Sequence, residues 1–364
     1  MMLDPTDPVS GALRAQVDAR IHSHLEQVSA RLTKASHNPV PLVAVATDLI
    51  AGGKRLRPAF GYWGYVAVLG QDDIPEGLWR LVSALELLHV GVLIHDDVLD
   101  RADTRRGRPA AHRQFEIWYR RAGGAGDAAE FGRALAVLLG DQLLVWSGEL
   151  AEHCGLAGGG WQRANPFWHA LRSEVNNGQM LDICAQFGMG GPDDAFAERL
   201  AREVLEEKTA RYTVQRPVQL GAAAAGATAA TLAALGEYGL ALGRAFQLRD
   251  DLLGVFADED QTGKPAAGDL MNGKRTILLA RALAAAPPGD TAWLVSMLGR
   301  PDLNACQIDR ARQIITDSGA VQMLEEAIGN DHRAALAALQ AADLTEPGRT
   351  ALIGLAQQCA YRAN

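Results

Sequence analysis

Little in this chain suits an oxidising or membrane-spanning life. Cysteine is scarce: Cys154, Cys184, Cys306 and Cys359 stand apart with no CxxC spacing, which argues against a disulfide framework and a structural zinc site and points to a reducing cytoplasm. Aromatic residues make up only 6% of the chain, and Val, Ile and Thr rarely alternate with polar residues as half-buried strands require. Positive charge is in deficit, with 35 Lys and Arg against 43 Asp and Glu and a net charge of -8. That balance argues against general nucleic-acid binding or attraction to anionic membranes, while leaving room for local basic clusters around anionic ligands. No basic start followed by an apolar stretch opens the chain, so no secretory signal is expected in it. One long uncharged run, Pro217 to Gly236, consists of Ala, Gly and Thr instead of Leu and Phe, and reads as a closely packed buried helix and not as a membrane span.

What remains is a sequence that is 48% hydrophobic, with long stretches of Ala, Leu, Arg and Glu. It predicts an all-α fold. No repeat, low-complexity linker or compositional shift divides it, so a single domain over residues 1–364 is expected, with 1–8 as a disordered tail. Helices are predicted over 9–34, 40–51, 57–69, 77–102, 128–154, 165–187, 193–226, 228–256 and 276–286, with further amphipathic pieces to the C-terminus. The segment from Ala257 to Gly273, rich in Asp, Gly and Lys, is long for a connection inside a compact domain and is expected to be a mobile lid.

Two helices carry carboxylates that a core helix would not tolerate unpaired. In the first, an almost wholly apolar run from Leu85 ends in Asp96, Asp97 and Asp100. Asp96 and Asp100 share a helical face, and His89 lies two turns earlier on nearly the same face. In the second, Asp250 and Asp251 follow Gln247 in another apolar helix. If the two helices face each other, their oxygens suit Mg²⁺, a hard ion that binds through few carboxylates together with water and substrate phosphates. Basic residues occur where a polyanion would need them: Gly52-Gly53-Lys54-Arg55-Leu56-Arg57-Pro58 opens a helix, and Arg105-Arg106-Gly107 follows the first acidic helix. Helix-start N–H groups with Lys and Arg make a diphosphate cradle. Carboxylates and cations together make sense with one ligand type, a metal-bound diphosphate.

These motifs, with Gly178-Gln-Met-Leu-Asp182, Lys208-Thr-Ala210, Gly263-Lys-Pro265 and Gly273-Lys-Arg-Thr276, occur in an order that resembles the trans-isoprenyl diphosphate synthase family, the polyprenyl synthetases, from about Gly52 to Lys274. The chain is most similar to its bacterial geranylgeranyl and farnesyl diphosphate synthases. The resemblance implies the isoprenoid synthase fold, a bundle of antiparallel helices around a central cavity, and a homodimer. It implies condensation of isopentenyl diphosphate with an allylic diphosphate. Asp96, Asp100 and Asp250 would hold three Mg²⁺ ions, supported by Asp97, Asp182 and Asp251. Lys54, Arg57, His89 and Arg106 would bind isopentenyl diphosphate, and Arg105, Lys208, Thr209, Gln247, Lys264 and Lys274 the allylic diphosphate. One departure stands out: many members repeat DDxxD in the second motif, whereas here Gly254 takes the place of the third aspartate.

No protein nucleophile is needed for such chemistry, because charge building on a departing diphosphate is stabilised electrostatically. The product tail is expected to run from Asp96 toward the start of its helix, past Val92, Gly91 and Leu88. The resemblance implies that a Phe or Tyr at residue 91 or 92 would stop the product early, so small Gly91 and Val92 favour a C20 product, geranylgeranyl diphosphate, over C15. Longer chains stay open if facing helices recede, and Trp146 and Met180 are further candidates to cap the cavity. A class I terpene cyclase is the alternative, but it needs no site like Lys54, Arg57 and His89. A noncatalytic partner subunit should have lost the first acidic motif, which this chain keeps.

Overall fold

A computed structural model of the chain describes residues 3–35, 40–70, 72–189, 194–257 and 267–361. The fold is all-α, as the sequence predicts. Its helices are α1 (Gly11–Ala35), α2 (Leu42–Ile50), α3 (Leu56–Leu69), α4 (Glu76–Leu99), α5 (Ala111–Arg121), α6 (Ala128–Glu152), α7 (Gly160–Gln186) and α8 (Asp194–Val204). A π-helix (Leu205–Gln215) continues α8 directly into α9 (Arg216–Ala225), and α10 (Ala229–Phe256) follows. Then come α11 (Gly268–Met271), α12 (Ile277–Ala285), α13 (Pro288–Met297), α14 (Ala305–Asp317), α15 (Ala320–Ala341) and α16 (Glu346–Tyr361). Among the described residues the only strands are β1 (Thr104–Arg105) and β2 (Arg108–Pro109), a two-residue hairpin paired Arg105 to Arg108.

Local chemistry sets many boundaries. Asp127 caps α6 by accepting from the N–H groups of Ala129 and Glu130, and Thr228 caps α10 through Thr231, satisfying donors that a helix start leaves open. Gly226, with φ of 89°, ends α9 in the left-handed conformation that glycine adopts without strain. That turn divides the uncharged run from Pro217 to Gly236 between two helices. Among the described residues, α4 and α6 are instead the helices long and apolar enough to cross a membrane, and 78% and 50% of their most apolar stretches are buried inside the fold.

Three expectations change. Helix α5 was not among the helices predicted, although its eleven residues carry five apolar side chains beside five Arg, His and Glu. Helix α7 begins at Gly160 and runs through Pro166, not from Asn165. The chain start is not a loose tail over its described residues: Leu3 is buried, and Trp63 Nε1 donates to the carbonyl of Pro8 at 2.8 Å. Of the expected lid, residues 258–266 lie outside the described residues, and its last part forms α11.

The larger apolar core is built chiefly by α1, α3, α4, α6, α7, α9, the first part of α10 and α16, around the fully buried Trp63, Trp146 and Trp168. A smaller core joins the C-terminal half of α10 to α12, α14 and α15. Helix α4 packs chiefly on α6, and the π-helix lies between α7 and α10. The contacts are close. A Cβ at Gly178 of α7 would lie 2.3 Å from the backbone N of Lys208, and one at Gly243 of α10 would lie 2.4 Å from Cα of Ala210. Only residues without a side chain let both helices touch the π-helix backbone, and that contact fixes where Lys208 projects.

Candidate active site

The C-terminal end of α4 presents Asp96, Asp97 and the C-cap Asp100. Sequence reasoning requires something to neutralise them, and three cations from three elements do so. Arg105 Nε donates to Asp97 Oδ1 at 2.8 Å and its Nη2 lies 3.6 Å from Asp96 Oδ2. Lys208 Nζ, from the π-helix, donates to Asp96 Oδ1 at 3.1 Å and to Asp182 Oδ2 of α7 at 2.6 Å. Lys274 Nζ, after α11, lies 3.5 Å from Asp100 Oδ2. Arg105 is aimed inward by the hairpin, whose two turn residues Arg106 and Gly107 have φ of 53° and 72°, the positive pair that a two-residue hairpin turn of matching twist requires.

The electrostatics follow from this pairing. Burial pushes the Asp96 carboxyl up, but Lys208, Lys274 and Arg105 outweigh it and hold its pKa at about 2. Burial wins at Asp97 and Asp100, whose pKa values are raised even though Arg105 and Lys274 oppose the shift. Lys208 and Lys274 are held protonated against their burial, the first mainly by Asp96 and Asp182, the second mainly by Asp269, Asp96 and Asp100. On the second acidic helix Gln247 Nε2 donates to Asp251 Oδ1 at 2.8 Å. Burial raises Asp251 well above the usual carboxylate range, with Asp269 and Asp250 adding to the shift and Lys274 opposing it. Asp250, one residue earlier, is half-buried. Lys274 is therefore a charge that feels both acidic helices.

A second cationic group lies under the turn before α3. Arg57 Nη2 donates to Thr213 Oγ1 at 2.7 Å, and its guanidinium sits 4.5 Å from the ring centre of Tyr212. The His89 ring lies 6.2 Å from the same Tyr212 ring. Burial, then Arg57, Arg106, Arg105 and Arg55, drive the His89 pKa well below its ordinary value, so the imidazole is neutral. Arg57 Nε and His89 Nδ1 are buried and have no hydrogen-bond partner among the described residues, a condition that folded proteins rarely leave without a ligand or water. Arg106 is exposed, with its Nη1 3.3 Å from the carbonyl of Ala51.

Not every cation of that turn is alike. Arg55, with φ of 59°, is 3% exposed and binds Glu86 at 2.8 Å, Asp18 at 2.7 Å and the carbonyl of Ile50 at 2.8 Å. It is a structural arginine, whereas Lys54 before it is exposed. Thr209 is half-buried in the π-helix, and Lys264 lies outside the described residues.

The expected cavity floor is redistributed. Leu88 is buried and Val92 half-buried, on the face that leads to Asp96. Gly91 instead faces α6: a Cβ there would lie 3.0 Å from the Gly140 carbonyl oxygen and 3.2 Å from Leu143 Cβ. Its small size sets the approach of two helices and does not open the floor. Trp146 is buried, but Met180 is 59% exposed and cannot cap an inner cavity, because it stands halfway round α7 from the inward pair Gly178 and Asp182. Sequence reasoning missed Asp269, whose only signal was the glycine at 254, and missed Tyr212, Thr213 and Glu86 as partners of the arginines.

The donor set fits a magnesium ion. Asp96 is ionised, and the carboxylates are hard oxygen donors. Such a site suits an ion that shares its coordination with substrate phosphates.

The family model for polyprenyl synthetases matches residues 40–315. A geranylgeranyl diphosphate synthase of Saccharolobus solfataricus is 30% identical over 270 residues, covering 73% of each chain. A geranylfarnesyl diphosphate synthase of Aeropyrum pernix is 31% identical over 296 residues, covering 80% of this chain and 84% of its own. Among solved structures, a geranylgeranyl pyrophosphate synthase of Corynebacterium glutamicum, complexed with isoprenyl diphosphate and magnesium, superposes with a TM-score of 0.90 at 33% identity, over 99% of this chain and 100% of that one. With its helical bundle, its two acidic helices and the cations between them, the chain belongs to the polyprenyl synthetase family and is a prenyltransferase, a trans-isoprenyl diphosphate synthase.

Proposed function

We propose that this prenyltransferase condenses isopentenyl diphosphate with an allylic diphosphate in a Mg²⁺-dependent reaction and releases geranylgeranyl diphosphate. The observation that carries this reading is the ionised Asp96 held between Lys208, Lys274 and Arg105, a buried arrangement of both charge signs that a metal diphosphate would complement. Asp96, Asp100 and Asp250 are the proposed ligands of three ions, with Asp97, Asp182 and Asp251 in support. When bound, Mg²⁺ polarises the diphosphate oxygens and lowers the charge building on the leaving group. Lys208, Lys274 and Arg105, with Thr209, Gln247 and Lys264, hold the allylic diphosphate while its C1–O bond breaks and the electron pair leaves on oxygen. Arg57, His89, Arg106 and Lys54 hold isopentenyl diphosphate, the first two through the buried nitrogens that lack partners. The double bond of isopentenyl diphosphate then attacks C1 of the allylic cation, and the proton lost goes to the released diphosphate. The apolar walls exclude water that would quench the cation.

Leu88 and Val92 are the proposed floor for a C20 chain. A homodimer in a reducing cytoplasm belongs to the same reading. It accords with the free thiols of all four cysteines and with Leu138 and Val145, seven residues apart on the outer face of α6 and 58% and 54% exposed. The test is incubation of the purified protein with labelled isopentenyl diphosphate, Mg²⁺ and each allylic primer, followed by chain-length analysis after dephosphorylation. Expected is a C20 product that EDTA abolishes. A cyclic hydrocarbon, or no product with any primer from folded protein, would overturn the reading.

A further inference from the structure

Both halves of the site lean on one element, the π-helix. Its Lys208 reaches Asp96 at 3.1 Å and Asp182 at 2.6 Å, on the side proposed for the allylic diphosphate. Five residues on, Thr213 Oγ1 accepts from Arg57 Nη2 at 2.7 Å, on the side proposed for isopentenyl diphosphate. The type of helix makes this pairing possible. Hydrogen bonds of a π-helix close over five residues, so Lys208 and Thr213 stack along one face, whereas at 3.6 residues per turn they would stand about 140° apart. We propose that Thr213 is a positioning residue for isopentenyl diphosphate: from the face of the π-helix that carries Lys208, its hydroxyl sets the Arg57 guanidinium in the orientation that meets the diphosphate.

Three observations support this. The hydroxyl is fixed in place: Thr213 is 1% exposed, and a β-branched side chain is stiff at χ1. The π-helix beneath it is clamped, because Glu174 of α7 binds Arg216, the residue that follows the π-helix, at 2.5 Å and lies 3.6 Å from Arg211 within it. Arg57 has little else to orient it. The Tyr212 ring, 4.5 Å from the guanidinium, limits its tilt, yet an aromatic face attracts the cation without fixing where each N–H points. The bond to Thr213 supplies that direction and leaves the buried Nε without a partner among the described residues. A hydroxyl also orients the arginine without neutralising it, unlike the carboxylates of Glu86 and Asp18 that hold the structural Arg55. The full charge of Arg57 stays available to an anion.

The inference rests on the assignment of Arg57 to isopentenyl diphosphate proposed above. It is tested by steady-state condensation kinetics, each substrate varied in turn, in Thr213→Val, Thr213→Ser, Arg57→Met and Thr213→Val/Arg57→Met, with a melting curve for each. Valine keeps the shape and branching of threonine but removes the acceptor. It should raise KM for isopentenyl diphosphate by roughly 10-fold or more, the order of one lost hydrogen bond to a charged group, and leave kcat and the allylic KM unchanged, the pattern of lost ground-state binding. Serine restores the hydroxyl and should return the isopentenyl KM to near the wild-type value. In the Arg57→Met background Thr213→Val should add nothing, because it acts through Arg57. Thr213→Ala carries the same comparison where the valine variant does not fold. An unchanged isopentenyl KM in Thr213→Val, a serine variant as impaired as the valine one, or an equal further loss in the Arg57→Met background would overturn the inference. An Arg57→Met enzyme with wild-type KM for isopentenyl diphosphate would instead overturn the assignment it rests on.

Discussion

Replacing Gly178 with alanine tests how the site is assembled. The new methyl would start 2.3 Å from the backbone N of Lys208, 2.6 Å from its Cα and 2.8 Å from the Glu207 carbonyl carbon. Backbone cannot swing aside as a flexible side chain can, so the π-helix must recede by about 1.1 Å, the gap between 2.3 Å and the 3.4 Å at which ordinary contact begins. Lys208 Nζ now spans Asp182 at 2.6 Å and Asp96 at 3.1 Å, and a retreat of that size would break at least one contact. A misplacement of about 1 Å near a reacting centre costs on the order of 10²-fold in rate. Overpacking of this kind costs about 1–3 kcal/mol. With an unfolding entropy of about 2.1 cal/mol/K per residue over 364 residues, Tm should fall by only about 1–4 °C. The assay is steady-state condensation at saturating substrates together with a melting curve. The matched control is Gly329→Ala in α15, where the nearest atom is the flexible end of Arg333 at 3.5 Å and helix propensity should add up to about 1 kcal/mol. A Gly178→Ala enzyme with wild-type kcat and wild-type Tm would refute the argument that glycine contact positions Lys208.

Three further outcomes are expected. Arg55→Met should destabilise the fold by about 3–5 kcal/mol because it strands buried Glu86; Arg55→Met/Glu86→Met should recover most of that in urea titrations, and equal stability of the single variant would contradict a structural role. Lys208→Met should lower kcat by about 10²–10³-fold, the loss seen when one fixed donor to a developing anion is removed, and this is checked with substrates at saturation. His89 is buried neutral with a lowered pKa, so below about pH 6.5 the unfolded chain binds a proton that the folded chain does not, and stability should fall with pH by up to about 1.4 kcal/mol per unit from this group. The His89→Gln protein should show a shallower acid-side decline in urea midpoint than wild type, and parallel profiles would refute the assignment.

The sequence by itself determined the helical class and the chemistry. A carboxylate at the end of an apolar helix is a local anomaly that periodicity exposes, and two such helices with cationic turns between them define the ligand before any coordinates exist. Asp96, Asp100 and Asp250 stood out for that reason, whereas Lys208 and Lys274 entered only through the resemblance of their motifs to a known family. The resemblance of the ordered motifs to a known family supplied their assigned roles, which local pattern alone could not. Tertiary structure decided the rest, because pairing depends on which helices lie side by side. Arg55 and Lys54 are adjacent cations, yet only packing against α4 buries one with Glu86, while the other stays at the surface. Gly91 looks like an open floor in the sequence, but the closeness of α6 makes it a helix contact. The π-helix has no periodic signature of its own; it exists where glycines of α7 and α10 press on its backbone. Asp269 reads as an ordinary loop acid until the fold sets its carboxylate in the notch at Gly254. Local spacing fixes the face on which a side chain stands, and only the packed chain fixes what that face meets.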